Sequence, residues 1–341
     1  MMKKKRSILG AMSKHNRLLI VFTVCLFVIM SLVKTDIFLT WENINSMLLQ
    51  VSEIGLLSVG MMLAFLIGGI DLSVVSNAVL SATVGGYVML ALEGSPGLAI
   101  GACVVTSVAL GTVLGIFNGF VVSKINLPPI LVTLGTNSLY RGIAVGLTGG
   151  STLGGFPEGF AVIGNGTVFG IYYAVLIFAA VMAGVGIFLN QTASGRKAAL
   201  MGSNAKAAYF SGVNNTRLSI KIYGIIGLIG GIAGIVMMSR SNSINPDYGT
   251  SYLLQTILIC VVSGVNIDGG KVSVAGMILA LVLMQIISTS FNMLMVGYSG
   301  ATFFKNIIWG ALLIALMVIT YYSSRRKPKA EGRRGIWRKS C

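Results

Sequence analysis

Histidine, acidic residues and cysteine are all scarce in this chain of 341 residues, which holds one histidine, nine acidic residues and four cysteines. The histidine is His15, ahead of the first apolar run. No His-based metal site, Ser/His triad or Cys/His pair can therefore assemble among the apolar segments. Cys25, Cys103 and Cys260 lie inside those segments and Cys341 is the last residue, a pattern with neither metal-ligand spacing nor a disulfide framework. The run from Gly264 to Ser273 superficially resembles a Gly-rich phosphate loop. Such a loop needs Lys directly after its second glycine and Ser or Thr directly after that Lys. Here Gly270 intervenes before Lys271, and Val272 stands at the hydroxyl position. The chain is thus expected to carry no catalytic residue, metal or cofactor, and any ATP that drives it must be hydrolysed by another chain.

Charge of either sign is also sparse, at 10% of residues against about 25% in a soluble domain. What remains is 55% hydrophobic, too much for an ordinary soluble core. A helix needs roughly 20 apolar residues to cross a bilayer, and ten segments approach or exceed that. They are Leu18 to Val33, Leu48 to Ile67, Leu72 to Leu92, Gly97 to Val122, Pro128 to Leu147 and Ile171 to Leu189, then Ile222 to Met238, Tyr252 to Ser263, Val272 to Ser290 and Phe304 to Tyr321. The expectation is an all-α polytopic transmembrane bundle of about ten spans. The short eighth segment is its weakest member. Small-residue cleavage signals are missing between Val24 and Lys34, so the first segment reads as an uncleaved anchor.

The net charge of +16 raises the question of nucleic acid, but the positions of the basic residues answer it. Lys3, Lys4, Lys5, Arg6, Lys14 and Arg17 precede the first span, and a second basic group from Arg325 to Lys339 follows the last. Arg196, Lys197, Lys206, Arg217 and Lys221 share the loop from Asn190 to Lys221, which has no acidic residue. By the excess of Lys and Arg on cytoplasmic segments, residues 1–17, 190–221 and 323–341 are expected to be cytoplasmic, around a membrane domain over 18–322. The loop from Gly149 to Gly166 is then outside.

Small residues recur at four-residue spacing in Ser107, Gly111, Gly115 and Gly119, and again in Gly230 and Gly234. Such faces allow close backbone approach, within one bundle or at a subunit interface. Segments are interrupted at Gly68-Gly69, at Pro128-Pro129 and at Gly269-Gly270. Non-helical backbone at membrane depth persists only where protein or a water-filled cavity satisfies it, and interrupted spans in transporters tend to lie near the pathway. At Gly269-Gly270 a plain surface turn is the simpler reading. Ionisable residues inside a membrane are functional candidates by default. Asp71, directly before the helix that starts near Leu72, can instead cap free backbone N–H groups. Glu53 lies near the outer end of the second span, where it could reach water.

Several runs carry a resemblance. Gly68-Gly69-Ile70-Asp71-Leu72-Ser73, Gly115-Ile116-Phe117-Asn118-Gly119, and the run from Leu127 to Thr136 followed by Arg141-Gly142 resemble the ribose-type permeases of bacterial ABC importers. Gly195-Arg196, Gly202-Ser203-Asn204-Ala205, Ala208 and Ser211-Gly212-Val213-Asn214 look like that family's cytoplasmic loop. Asn245-Pro246 with Gly249, and the run from Ser263 to Gly270, match its C-terminal half. The resemblance implies a permease subunit of the bacterial cell (inner) membrane. Its implied partners are a cytoplasmic ABC ATPase, a second permease copy or homologue, an extracytoplasmic solute-binding protein and membrane lipid, with no nucleic acid. The implied solute is a monosaccharide or a related sugar-like molecule. Val75 stands where the family often has Gly, and Leu253 and Gln255 stand where ribose-type members commonly carry Glu and Asp. Those changes, with Gly154-Gly155-Phe156-Pro157, are similar to the branch that imports autoinducer-2 through a heterodimeric permease.

Asp71, Asn118, Pro128, Pro129, Thr133, Thr136 and Asn137 are expected along the solute pathway, the last three grouped by their three- and four-residue spacing on one helix face. In the basic loop, Asn204, Ala205, Ala208, Tyr209, Phe210 and Gly212 are expected to form a short ATPase-docking helix. Asn204 would cap it and Gly212 would end it in a left-handed conformation. Two other classes remain: an ion-coupled carrier using Glu53 or Asp71, and a non-transporting membrane scaffold or receptor.

Overall fold

A computed structural model describes residues 14–92, 94–298 and 300–325. The basic tail residues Lys3 to Arg6 and Arg326 to Lys339, on which part of the expected orientation rests, lie outside the described residues. Each of the ten expected segments coincides with a helix. In chain order the long ones are α1 (Lys14–Val33), α3 (Trp41–Leu66), α4 (Val74–Ala91), α5 (Pro96–Lys124) and α6 (Pro129–Thr148). They continue with α8 (Tyr173–Gln191), α11 (Asn215–Ser241), α12 (Tyr252–Val262), α13 (Val274–Leu294) and α14 (Ala301–Arg325). Eight helices among the described residues are long and apolar enough to cross a membrane. The other two apolar ones are shorter: α12, and the stretch Phe304–Ala315 of α14. At ~1.5 Å per residue α12 reaches only about half-way through a hydrocarbon core of ~30 Å.

The helix ends follow local chemistry. The side chain of Thr40 accepts from Asn43 N at the start of α3, and that of Asn214 accepts from Arg217 N at the start of α11. Ser273 does the same for Gly276 N at the start of α13. Each bond satisfies one of the four N–H groups that a helix start leaves free. Pro128 and Pro129 open α6, where a missing N–H costs nothing, and α6 ends on Gly149 at φ 61°.

The remaining elements are short: α2 (Thr35–Phe38), α7 (Glu158–Asn165), α9 (Ala193–Ser203), α10 (Ala205–Phe210) and four two-residue strands. Strand β1 (Leu153–Gly154) pairs antiparallel with β4 (Ser243–Ile244), and β2 (Thr167–Val168) with β3 (Ile171–Tyr172). Ile171 and Tyr172, expected at the head of the sixth span, therefore belong to a hairpin, and α8 begins only at Tyr173. The connection between α6 and α8 also folds α7 onto α11. Ser239 Oγ donates to Phe160 O at 2.6 Å and accepts from Gly164 N at 2.8 Å.

Two helices form the centre. The apolar window of α11 is 83% buried and that of α3 78%, against 11% for α1 and 22% for α5 and α8, which places the latter three at the periphery. Glycine lets the central helix approach its neighbours. A Cβ on Gly115 would lie 2.2 Å from Tyr223 O, and one on Gly227 would lie 2.1 Å from Gly111 O. The repeat Ser107, Gly111, Gly115, Gly119 thus packs inside the bundle. Its counterpart on α11 is Gly227 and Gly231, whereas Gly234, expected to mirror the repeat, faces the Ala78 carbonyl of α4.

Candidate functional site

Three groups of polar residues stand out against this apolar frame. The first surrounds the break between α3 and α4. Asp71 Oδ1 accepts from the Ser73 N–H at 2.9 Å and from the Ser73 hydroxyl at 2.6 Å, a local turn ahead of the helix; the cap expected of Asp71 is not made, because α4 starts at Val74 with Ser73 as its N-cap and no side-chain capping bond. The Ser73 hydroxyl accepts from Asn118 Nδ2 at 2.7 Å, and Asn118 Oδ1 accepts from the Tyr140 hydroxyl at 3.1 Å. A chain of donors therefore links α4, α5 and α6. Thr133 Oγ1 lies 2.9 Å from both Ile70 O and Pro129 O, so it ties α6 to the non-helical segment. All these side chains are buried, and a fully paired buried network fixes one arrangement of its helices. Of the expected pathway residues, Asp71, Asn118 and Thr133 meet here. Thr136 is buried on the same face and bonds back to Thr133 O at 3.4 Å. Pro128 is exposed at the start of α6, and Pro129 packs against Gly69. Ser73 and Tyr140 were not anticipated. Tyr140 follows Thr133 and Thr136 on one helical face, and that periodicity is the signal that could have found it.

The second group lies around the middle of α3 and the first turns of α4. Glu53 does not reach water: it is 0% exposed, with its Oε2 3.0 Å from Arg240 Nη1 and the hydroxyls of Tyr248 and Tyr252 each 3.3 Å from its carboxylate. The reason is that Arg240 near the end of α11 and the tyrosines that follow it close on the middle of α3. Arg240 is itself held by its carbonyl, which accepts from Asn165 Nδ2 at 3.0 Å. Beside this cluster a pocket of ≈ 200 Å³ opens between α4, α6 and the segment from Pro246 to Leu253. Its polar lining is Ser76, Asn137, Arg141, Tyr248 and Thr250, and Val75, Val79 and Leu253 supply apolar wall. Val75 and Leu253 are two of the positions that depart from the ribose-type pattern. Arg141 reaches across to Asp247, with its Nε 3.0 Å from Asp247 Oδ1. Arg141 lies one helical turn past Asn137 inside an apolar segment, a charged position that the default rule for intramembrane ions would have flagged.

The third group is the basic loop. Arg196, Lys197, Lys206, Arg217 and Lys221 are all exposed. Asn204 caps α10 through its Oδ1, which accepts from Ala207 N at 2.9 Å, and Gly212 follows at φ +80°. Ala208 is fully buried, while Tyr209 is 66% and Phe210 85% exposed. Fully burying a side chain of this kind stabilises by roughly 1.5–3 kcal/mol, and these two adjacent rings leave most of that burial unrealised. The loop is joined to the first group by glycine: a Cβ on Gly202 would lie 1.9 Å from Leu66 O, and Gly270 N donates to the same carbonyl at 2.9 Å. The Gly269-Gly270 turn is thus a packed junction as well as a turn. Among the described residues no cluster of His, Cys, Asp and Glu has the makings of a metal site.

Comparison with known proteins bears on all three groups. Residues 43–320 match the family described as branched-chain amino acid transport system / permease component. The chain is 31% identical over 313 residues to a ribose import permease protein of Bacillus subtilis, covering 91% of this chain and 93% of that one. It is 30% identical over 285 residues to an autoinducer 2 import system permease protein of Photorhabdus temperata, covering 81% and 83%. An L-arabinose ABC transporter permease protein of Azospirillum brasilense is 28% identical over 313 residues, covering 92% and 89%. No solved structure matches the chain.

Proposed function

The chain belongs to this family of permease components, and we propose that the solute it translocates is a monosaccharide or sugar-like molecule such as ribose or autoinducer-2. It is a multi-pass membrane protein and the transport subunit of an ATP-binding-cassette importer, not an enzyme. A permease component of this kind works with an ATPase and a solute-binding protein. The family's description names branched-chain amino acids, but the relatives that match over four-fifths or more of this chain are named for ribose, autoinducer 2 and arabinose. The sugar-like reading follows them. An ion-coupled carrier finds no support: Asp71 is bonded to the N–H and hydroxyl of Ser73 and Glu53 is paired with Arg240.

The observation that carries the reading is α10. A short capped helix holds Tyr209 and Phe210 outward on a loop that also exposes Arg196, Lys197, Lys206, Arg217 and Lys221, and such a helix is too short to be stable alone. On this reading Asn204, Ala205, Ala208, Tyr209, Phe210 and Gly212 form the element that a cytoplasmic ATPase grips. The bundle's other end receives solute from an extracytoplasmic binding protein, and a second permease subunit, identical or homologous, completes the pathway. Along α6, Asn137 contacts solute, while Asp71, Asn118, Thr133 and Thr136 set the position of the helix that starts at Pro128-Pro129.

Reconstitution tests this. Uptake of labelled ribose into proteoliposomes should require the ATPase subunit, the binding protein and ATP. Uptake by this chain alone, driven by a proton or sodium gradient, would refute it.

A further inference from the structure

We infer that the pocket between α4, α6 and the segment from Pro246 to Leu253 is a contact site for a neutral polyol in transit. The inference rests on the sugar-like reading above and assigns to it a place and a set of side chains. The pocket, at ≈ 200 Å³, is smaller than the ~300–1,000 Å³ typical of sites for drug-sized ligands, so it suits a small solute.

Its chemistry is that of weak, unspent hydrogen bonding. No hydrogen bond among the described residues uses the Asn137 amide or the Thr250 hydroxyl, which line the pocket from α6 and from the segment between Pro246 and Leu253. The Asn137 amide can offer one acceptor and two donors, and the Thr250 hydroxyl can both give and take. A vicinal diol, which also gives and takes, pairs with such groups without a charge. Arg141 is the single ionised side chain in the lining, and Asp247 neutralises it from outside. An anionic solute would have to displace Asp247, and a cation would meet no free carboxylate, so a neutral solute is favoured. Val75, Val79 and Leu253 offer apolar surface for the C–H faces of a ring.

The wall is also held in place. Tyr248 donates to Glu53 Oε1 at 3.3 Å, and Tyr252 packs edge-on against Tyr248 with ring centroids 6.3 Å apart. Glu53 is therefore a positioning residue for the tyrosine wall, acting from outside the pocket.

The test uses the whole importer, permease with ATPase and binding protein, in proteoliposomes. Single cysteines replace Asn137 (Asn137→Cys) or Thr250 (Thr250→Cys), with Cys25 and Cys341 changed to Ser, and an impermeant methanethiosulfonate is added from outside. D-ribose, L-arabinose and L-leucine are offered in turn with binding protein and ATP, the same additions without solute serving as the control. A sugar that is taken up should slow modification at both positions several-fold, and leucine should not. If a sugar is taken up while both cysteines react at the control rate, the pocket is not on its route and the sugar-like reading stands without it. Uptake of leucine in place of the sugars removes the sugar-like reading and the pocket's assignment together. The two positions are independent, so a variant that fails to assemble leaves the other to decide.

Discussion

Glu53 and Arg240 form an ion pair with the carboxylate wholly enclosed and the guanidinium mostly so, Oε2 to Nη1 3.0 Å. Removing one partner of a buried pair costs about 3–5 kcal/mol because the other is left charged and dry, whereas removing both can be nearly neutral. Glu53→Gln and Arg240→Met should each lower the thermal midpoint of the detergent-solubilised protein, and the double variant should lie above both. Single losses that simply add would mean the pair is not coupled.

Gly115 and Gly227 set how near α5 comes to α11. With a Cβ on Gly115 only 2.2 Å from Tyr223 O, Gly115→Leu has to part the two helices, and loss of folded protein on size-exclusion chromatography is expected. Gly135 has open space where its Cβ would be, so Gly135→Ala should keep wild-type yield. Equal yields for both would deny the close packing.

Arg141 and Asp247 are 52% and 63% exposed, and exposed ion pairs contribute only about 0–1 kcal/mol. Arg141→Gln is expected to leave thermal stability unchanged and to alter uptake, since the side chain lines the pocket between α4 and α6. A large fall in stability with unaltered uptake per folded molecule would make it a structural strut instead.

Much of this was legible in the sequence because its signals are local. Ten apolar segments announce ten helices, the glycine spacing announces close packing, and Asn204 with Gly212 marks both ends of α10. Asp71 was read as a cap from its position alone, but α4 starts two residues later than its apolar run suggests, so Asp71 bonds Ser73 and not a helical N–H. What stayed hidden depends on contacts between distant segments. Nothing near Glu53 announces Arg240, and the folding of α7 over α11 that encloses them has no periodic signature. The spacing of Thr133, Thr136 and Asn137 groups them, but does not say which neighbour each side chain meets. Thr133 turns to the Ile70 carbonyl while Asn137 lines the pocket between α4 and α6. The division of labour along α6 could be read only once α4 was in place beside it.

Phe210 decides the central claim, that this bundle is driven by an ATPase gripping α10. The residue is 85% exposed, so Phe210→Asp costs the permease itself little, and the variant should insert and purify normally. Co-purification of the ATPase with the affinity-tagged permease, scored alongside ATP-dependent uptake, is the direct measurement. The account predicts loss of both in Phe210→Asp, with Phe210→Leu retaining a substantial part. ATPase recovered at wild-type yield with Tyr209 and Phe210 both changed to Asp would contradict it.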